Sequence, residues 1–218
     1  MIRIAIDGPG GAGKSTIAKL VGDKLGLEYI DTGAMYRAVG LKFNRKGIKP
    51  DDLISISNVL EETTIDFVNG KIILDGDDVS DIIRTQEISK FASIYSQIPE
   101  VRSKLVDIQR RIAAGKSVIM DGRDIGTNVL TDAELKVFLT ADSLVRARRR
   151  YEELRSKGVN ANLDDIHEEI KDRDYQDMHR KLNPLVQAED AIRLDTSDMT
   201  IDEVVNTIVA MAARVSCN

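Results

Sequence analysis

Within six residues, Gly8-Pro9-Gly10-Gly11-Ala12-Gly13, the chain places four glycines and follows them with Lys14, Ser15 and Thr16. The spacing fits G-x-x-x-x-G-K-[ST], the pattern of a phosphate-binding loop, or P-loop. Successive backbone N–H groups in such a loop form a concave nest at a helix N-terminus, where orphan donors and the helix dipole favour phosphate. Side chains at the glycine positions would block the approach. Lys14 adds a point charge for the outer phosphates of a nucleotide, and Ser15 an oxygen ligand for Mg2+. A merely tight turn would need one or two glycines and no Lys-Ser pair.

Further charged residues could complete a phosphate chemistry. Asp121 ends the apolar run "SVIMD", where an isolated carboxylate is costly unless it is paired or near a cation. It is assigned to Mg2+, through water, with a helix N-cap as the plainer alternative. Arg37 in "DTGAMYR" and Arg123 in "DGRD" each follow an expected strand, which puts them at the carboxyl edge of a sheet, where ligands bind in such folds. Either alone would serve as a surface ion-pair residue; together with the glycine loop they read as a clamp. Arg173, Asp177 and Arg180 in "RDYQDMHR" are spaced by four and three and share one helical face, a spacing that a solvated ion-pair face explains equally well. Arg146, Arg148, Arg149 and Arg150 open the helix after "LKVFLTAD", where exposed charges with i,i+4 partners such as Arg148–Glu152 and Arg149–Glu153 are the plainer reading of at least two of them. His167 and His179 have no second ligand at metal spacing and read as surface helix residues.

The elements that must hold these groups alternate. Ile2 to Asp7 reads as a buried strand, and Lys14 to Leu25 as a helix with Ile17, Leu20, Val21 and Leu25 on one face. Apolar runs recur as "LEYID", "SVIMD", "LKVFL" and "AIRLD", each before a polar turn and a helical pattern, which implies a parallel sheet covered on both faces. Pro99 suits a first helical turn, followed by Val101, Leu105, Ile108 and Ile112 with Gly115 at the exit, and "TIDE" at 200–203 fits a capping box. One segment, 63–80, breaks the alternation: two β-like runs joined by Asn69-Gly70, with Asp75-Gly76 offering another turn, predict an antiparallel insert.

With 218 residues the chain can bury a core without disulfides or metal staples. No apolar stretch approaches the ~18 residues of a membrane span, and no leader precedes the first strand. The single cysteine, Cys217, suits a reducing cytoplasm, where the protein is expected. Acidic residues outnumber basic ones 36 to 31, for a formal charge of −5, which argues against nucleic acid or a membrane surface as partner.

A P-loop alone does not name a reaction. A GTPase would carry an Asn-Lys-x-Asp element, and none is present; a motor would follow its Mg2+ aspartate with a glutamate, whereas Gly-Arg-Asp follows Asp121. A kinase needs arginines for a second anion and no group to activate water. At this point "IDGPGGAGKST", "DTGAMYR", "IRTQE", "MDGRDIGT" and "RDYQDMHR", in that order, resemble the bacterial cytidylate kinases, a family of nucleoside monophosphate kinases, over essentially the whole chain.

The resemblance implies an α/β fold in one P-loop kinase domain, 1–218: a five-stranded parallel sheet flanked by helices, and a helical lid at about 146–180. The small antiparallel β insert would lie in a monophosphate-binding region at about 32–100. It implies transfer of the γ-phosphoryl group of ATP to CMP or dCMP, with Mg2+ on Ser15 and Asp121, in pyrimidine nucleotide metabolism. ATP would be held by Gly8, Pro9, Gly10, Gly11, Ala12, Gly13, Lys14, Ser15 and Thr16, with Arg148 near its base or phosphates. CMP would be held by Thr32, Arg37, Ser93, Arg102, Arg123, Asp124, Arg173, Asp177 and Arg180. Ser93, Arg102 and Asp124 would surround the base, Arg173 and Asp177 would face the sugar hydroxyls, and Arg37, Arg123 and Arg180 the acceptor phosphate. Lys14, Arg123, Arg180 and Asp121 would carry the transfer. Thr32 stands where some relatives have serine, which keeps the hydroxyl. A monomer is expected. Two other readings stay open: a P-loop kinase for another small acceptor, such as another nucleoside monophosphate or a metabolite alcohol, and a regulatory module that binds ATP without turning it over.

Overall fold

The computed structural model describes residues 1–68 and 70–216. Asn69, half of the expected Asn-Gly turn, and Cys217 lie outside the described residues. The chain divides into two compact units, one made of 1–29 and 117–218, the other of 30–116.

The first unit begins with β1 (Arg3–Asp7), whose Ile4, Ala5 and Ile6 are all buried. A continuous apolar run, without alternation, marks a strand covered on both faces. The glycine loop leads into α1 (Lys14–Leu25) and then β2 (Glu28–Asp31), whose first two residues belong to this unit. The buried stripe of α1 is Ile17, Ala18, Val21 and Gly22, and Leu20 is left exposed. The helix is rotated from the expected face because Gly22 packs close: a Cβ there would lie 3.1 Å from Ile119.

The second unit, 30–116, is built on α2 (Thr32–Arg45), α3 (Leu53–Glu61), α4 (Gln86–Tyr95) and α5 (Pro99–Ala113), with an antiparallel sheet of β3 (Ile65–Val68), β4 (Lys71–Leu74) and β5 (Asp77–Asp78). This sheet is the insert expected at 63–80. β3 and β4 pair Ile65 with Leu74 and Val68 with Lys71. The turn into β5 has Asp75 and Gly76 both at positive φ, 52° and 93°, as a two-residue hairpin of the I′ kind requires. Ile65, Ile72 and Leu74 from the sheet join Met35, Phe43, Ile56, Tyr95 and Leu105 in one core. Within it the Phe43 and Tyr95 rings lie 4.7 Å apart, and the buried Tyr95 hydroxyl donates to Ile48 O.

The chain then returns to the first unit with β6 (Val118–Gly122), a π-helical turn at Ile125–Val129 and β7 (Leu135–Thr140). Two helices in contact follow, α6 (Ser143–Ser156) and α7 (Leu163–His179), over the span expected for a lid. β8 (Ile192–Asp195) and α8 (Ile201–Ser216) end the fold. The parallel sheet runs in the order β2-β6-β1-β7-β8. β1 lies in register between β6 and β7, with Ile6 beside Asp121 and Val137. α8 starts with the expected capping box: Glu203 Oε2 accepts from Thr200 N at 2.8 Å and Thr200 Oγ1 from Glu203 N at 3.3 Å. Among the described residues no helix is long and apolar enough to cross a membrane.

Candidate phosphoryl-transfer site

The glycine loop leaves the C-terminal end of the central strand and ends at the first residue of α1. Gly8 has φ 149°, and a Cβ there would stand 1.9 Å from Leu139 O, so this strand end approaches β7 too closely for any side chain. Gly13 makes a different demand. A Cβ there would meet nothing within 4 Å, but φ is 85°, the left-handed region that only glycine adopts at low cost. Gly13 is also the N-cap of α1 and supplies no side-chain cap, so the helix presents its orphan N–H groups to whatever the loop holds.

Lys14 is buried, and its Nζ donates to Pro9 O at 2.8 Å. Burial pushes its amine well below the usual lysine range, and the Arg123 and Arg173 charges push the same way, against Asp121 and Asp7. An anion in the loop would push the other way, because a nearby negative charge favours the charged amine.

Beside Lys14, Ser15 Oγ donates to Asp121 Oδ2 at 2.8 Å. The other carboxylate oxygen, Oδ1, accepts from Tyr29 Oη, also at 2.8 Å. The expected cation carboxylate, 4% exposed, thus lies against the expected cation hydroxyl, whose serine is exposed. Tyr29 went unforeseen; its only signal is its place in "LEYID", two residues before the strand's end.

Three expected residues from α7 and its end converge on the same place. Arg123 Nε donates to Asp177 Oδ2 at 2.8 Å, with both side chains less than one-fifth exposed. Burial would raise the Asp177 carboxyl, but the Arg123 charge and hydrogen bond, then Arg173 and Arg180, outweigh it and hold the group below the usual aspartate range. Arg180 Nη2 donates to Asp124 Oδ1 at 3.2 Å, and Asp124 Oδ2 accepts from Asn128 Nδ2 at 3.1 Å. A Cβ on Gly10 would lie 3.5 Å from both Arg123 Nη2 and Arg173 Cδ, so two of these guanidinium side chains hang directly over the loop. Asp177 and Arg180 of this face are thus held in partly buried ion pairs, while Arg173 overhangs the loop and is itself exposed.

The arginines at the start of α6 are placed differently from one another. Arg148 is exposed on α6, whereas Arg146 is buried and reaches the loop, its Nη1 donating to Gly10 O at 2.8 Å. Arg146 is also gripped by Asp174 of α7, through bonds of 3.1 and 2.6 Å. Arg149 turns to Thr196 O, at 2.7 Å, and Arg150 pairs with Glu153, so these two serve the helix and its support.

In the second unit, Asp31 caps α2 by accepting from Ala34 N and pairs with Arg37 Nη2 at 2.9 Å, next to the buried Thr32. Arg37 Nε is buried and has no hydrogen-bond partner among the described residues. Arg102 is 3% exposed, so it is not a solvated surface residue. Its Nη1 donates to Ser96 O at 3.3 Å, and its guanidinium carbon lies 5.6 Å from the centre of the Tyr36 ring. Ser93 is half-buried on α4.

A glycine-rich loop at the head of a parallel sheet, with a buried lysine, a Ser-Asp pair and converging arginines, defines a kinase of the P-loop class. Solved structures agree on the fold: shikimate kinase from Acinetobacter baumannii in complex with shikimate superposes with a TM-score of 0.50 at 13% identity, over 98% of this chain and 94% of that one. The chain belongs to the cytidylate kinase family, whose model matches residues 4–214. A cytidylate kinase of Clostridium botulinum is 51% identical over 213 residues, 98% of either chain. That of Caldanaerobacter subterraneus subsp. tengcongensis is 53% identical over 207 residues, 95% of this chain and 92% of the relative.

Proposed function

We propose that this chain transfers the γ-phosphoryl group of ATP to CMP or dCMP, giving ADP and CDP or dCDP. The observation that carries the proposal is the cluster around Gly10 and the buried Lys14, in which Arg123 and Arg173 overhang the loop while Asp177 and Asp124 hold Arg123 and Arg180. Such a cluster suits two anions brought together, one on the loop and one on the arginines. Family membership supplies the identity of the acceptor.

In this reading the backbone of Gly8 to Thr16 seats the ATP phosphates, and Lys14 exchanges Pro9 O for a phosphate oxygen. Ser15 and Asp121 are the residues that would hold Mg2+, Asp121 through water. Both offer hard oxygen donors of the kind Mg2+ takes, and when bound the ion neutralises charge on the outer phosphates. A phosphate oxygen of CMP bonds to the γ-phosphorus as the bond to the β–γ bridging oxygen breaks, and ADP leaves. The protein's work is alignment and charge neutralisation by Lys14, Arg123 and Arg180.

Thr32, Arg37, Ser93, Arg102, Arg123, Asp124, Arg173, Asp177 and Arg180 are assigned to CMP on the family resemblance. Arg148 is the lid arginine assigned near the base or phosphates of ATP, and Arg146, which donates to Gly10 O, is assigned to hold the loop.

The test is product identity. With ATP, Mg2+ and CMP the protein should form ADP and CDP in equal amounts. ADP without CDP would refute transfer, and ATP binding with no product would favour a regulatory module.

A further inference from the structure

Asp7 is the last residue of β1, immediately before the loop, and is 6% exposed. None of the roles above uses it. Its Oδ1 accepts from Ile125 N at 2.8 Å and its Oδ2 from Gly126 N at 2.7 Å. These are the first two amides of the π-helical turn at Ile125–Val129, and first-turn amides have no acceptor inside their own helix. The residue in the N-cap position is Asp124, a good capping type, yet its side chain makes no capping bond. It turns instead to Arg180 and Asn128. A carboxylate from a neighbouring strand thus does the capping, and the local aspartate faces the site. Gly126 fits this closeness: a Cβ there would stand 3.4 Å from Asp7 Oδ2 and 3.1 Å from the Lys136 stem.

We propose that Asp7 is a positioning residue: by accepting both amides it fixes the turn after β6, so that Arg123 overhangs the loop and Asp124 faces Arg180. The inference rests on the kinase reading for its catalytic consequence, but the clamp itself is a statement about the fold. Burial and the nearby Asp124 charge push the Asp7 carboxyl up to about 6, against the two amides and Lys14, so near neutral pH both oxygens act as acceptors.

Hydrogen exchange on the wild-type protein and Asp7→Asn kinetics test it together. In the wild type the Ile125 and Gly126 amides should exchange at least about a hundredfold more slowly than exposed loop amides. Asparagine keeps one acceptor but turns an NH2 toward an N–H, so one amide should lose its protection. The KM for CMP should then rise by roughly tenfold or more, with the KM for ATP changed by less than about twofold. A role in stability alone would lower the melting temperature and leave both KM values in place, overturning the proposal. Loop-like exchange of both amides in the wild type would overturn it too, even if Asp7→Asn fails to fold. If the wild type releases no ADP with CMP, the kinase reading fails, and the exchange data still decide whether the clamp exists.

Discussion

The Arg123–Asp177 pair is where geometry and catalysis can be separated most cleanly. Its Nε–Oδ2 distance is 2.8 Å, and its side chains are 19% and 18% exposed, so it is neither a screened surface pair nor fully buried. A charge-assisted hydrogen bond of this kind is worth about 1.5–3 kcal/mol, above the ~0–1 kcal/mol of exposed pairs. Asp177→Ala should therefore lower kcat/KM for CMP by roughly 10- to 150-fold, as Arg123 loses its hold and the acceptor its proposed sugar contact. ATP affinity should change by less than about threefold, because Asp177 touches no part of the loop by a hydrogen bond. The assay is a double-mutant cycle of Asp177→Ala and Arg123→Ala, read as kcat/KM for CMP in a coupled ADP-release assay, with ATP affinity from calorimetry. The coupling should be about 1.5–3 kcal/mol. Additivity within ~0.5 kcal/mol, or an ATP affinity that falls as far as that for CMP, would refute the reasoning.

Four further outcomes follow. Lys14→Ala should stay folded, as judged by thermal melting, and lose transfer by about a hundredfold or more, since a lost charge contact in a water-excluded site costs ~3 kcal/mol. Asp124→Asn adds a donor where a carboxylate faces Arg180, so the CMP-to-UMP ratio of kcat/KM should narrow by roughly tenfold; an unchanged ratio would show that Asp124 does not read the base. Gly8→Ala drives a methyl group into Leu139 O, and urea titration should show a loss of at least about 3 kcal/mol, whereas near-normal stability would contradict that close approach. The Asp177 carboxyl is held below its unfolded value near ~3.9, so the stability it adds is present above that pH and lost as pH falls through the lower folded value. The stability gap between wild type and Asp177→Asn should then be open at neutral pH and close below about pH 4; a gap independent of pH would contradict the shift.

What was legible in the sequence was what local pattern encodes. "RIAID" reads as a doubly covered strand because it is apolar without alternation, and the glycine loop reads as a phosphate nest because its glycines, lysine and serine have no cheaper explanation. Asp121 at the end of an apolar run and the shared helical face of Arg173, Asp177 and Arg180 were visible as patterns, but an N-cap and a solvated ion-pair face explained them as well, and only the family resemblance gave them roles. What pattern does not encode is which of several like residues faces the site. Arg146 and Arg148 are two residues apart, so they point away from each other, and only the seating of α6 shows that Arg146 is the one that donates to Gly10 O. Leu20 looked like a core residue until Gly22 let α1 pack through another stripe. Tyr29 and Asp7 serve partners 92 and 118 residues away, and contacts at that distance leave no spacing to read.

The central claim is that this cluster passes phosphate from ATP to a cytosine nucleotide. The most direct measurement is ADP release with CMP, dCMP, UMP, AMP and GMP side by side, each with wild type and Lys14→Ala. CMP and dCMP should support turnover, UMP should trail by at least about tenfold, the purine nucleotides should give none, and Lys14→Ala should abolish the signal throughout. Equal rates with all five, a preference for AMP or GMP, or full activity of Lys14→Ala would contradict it.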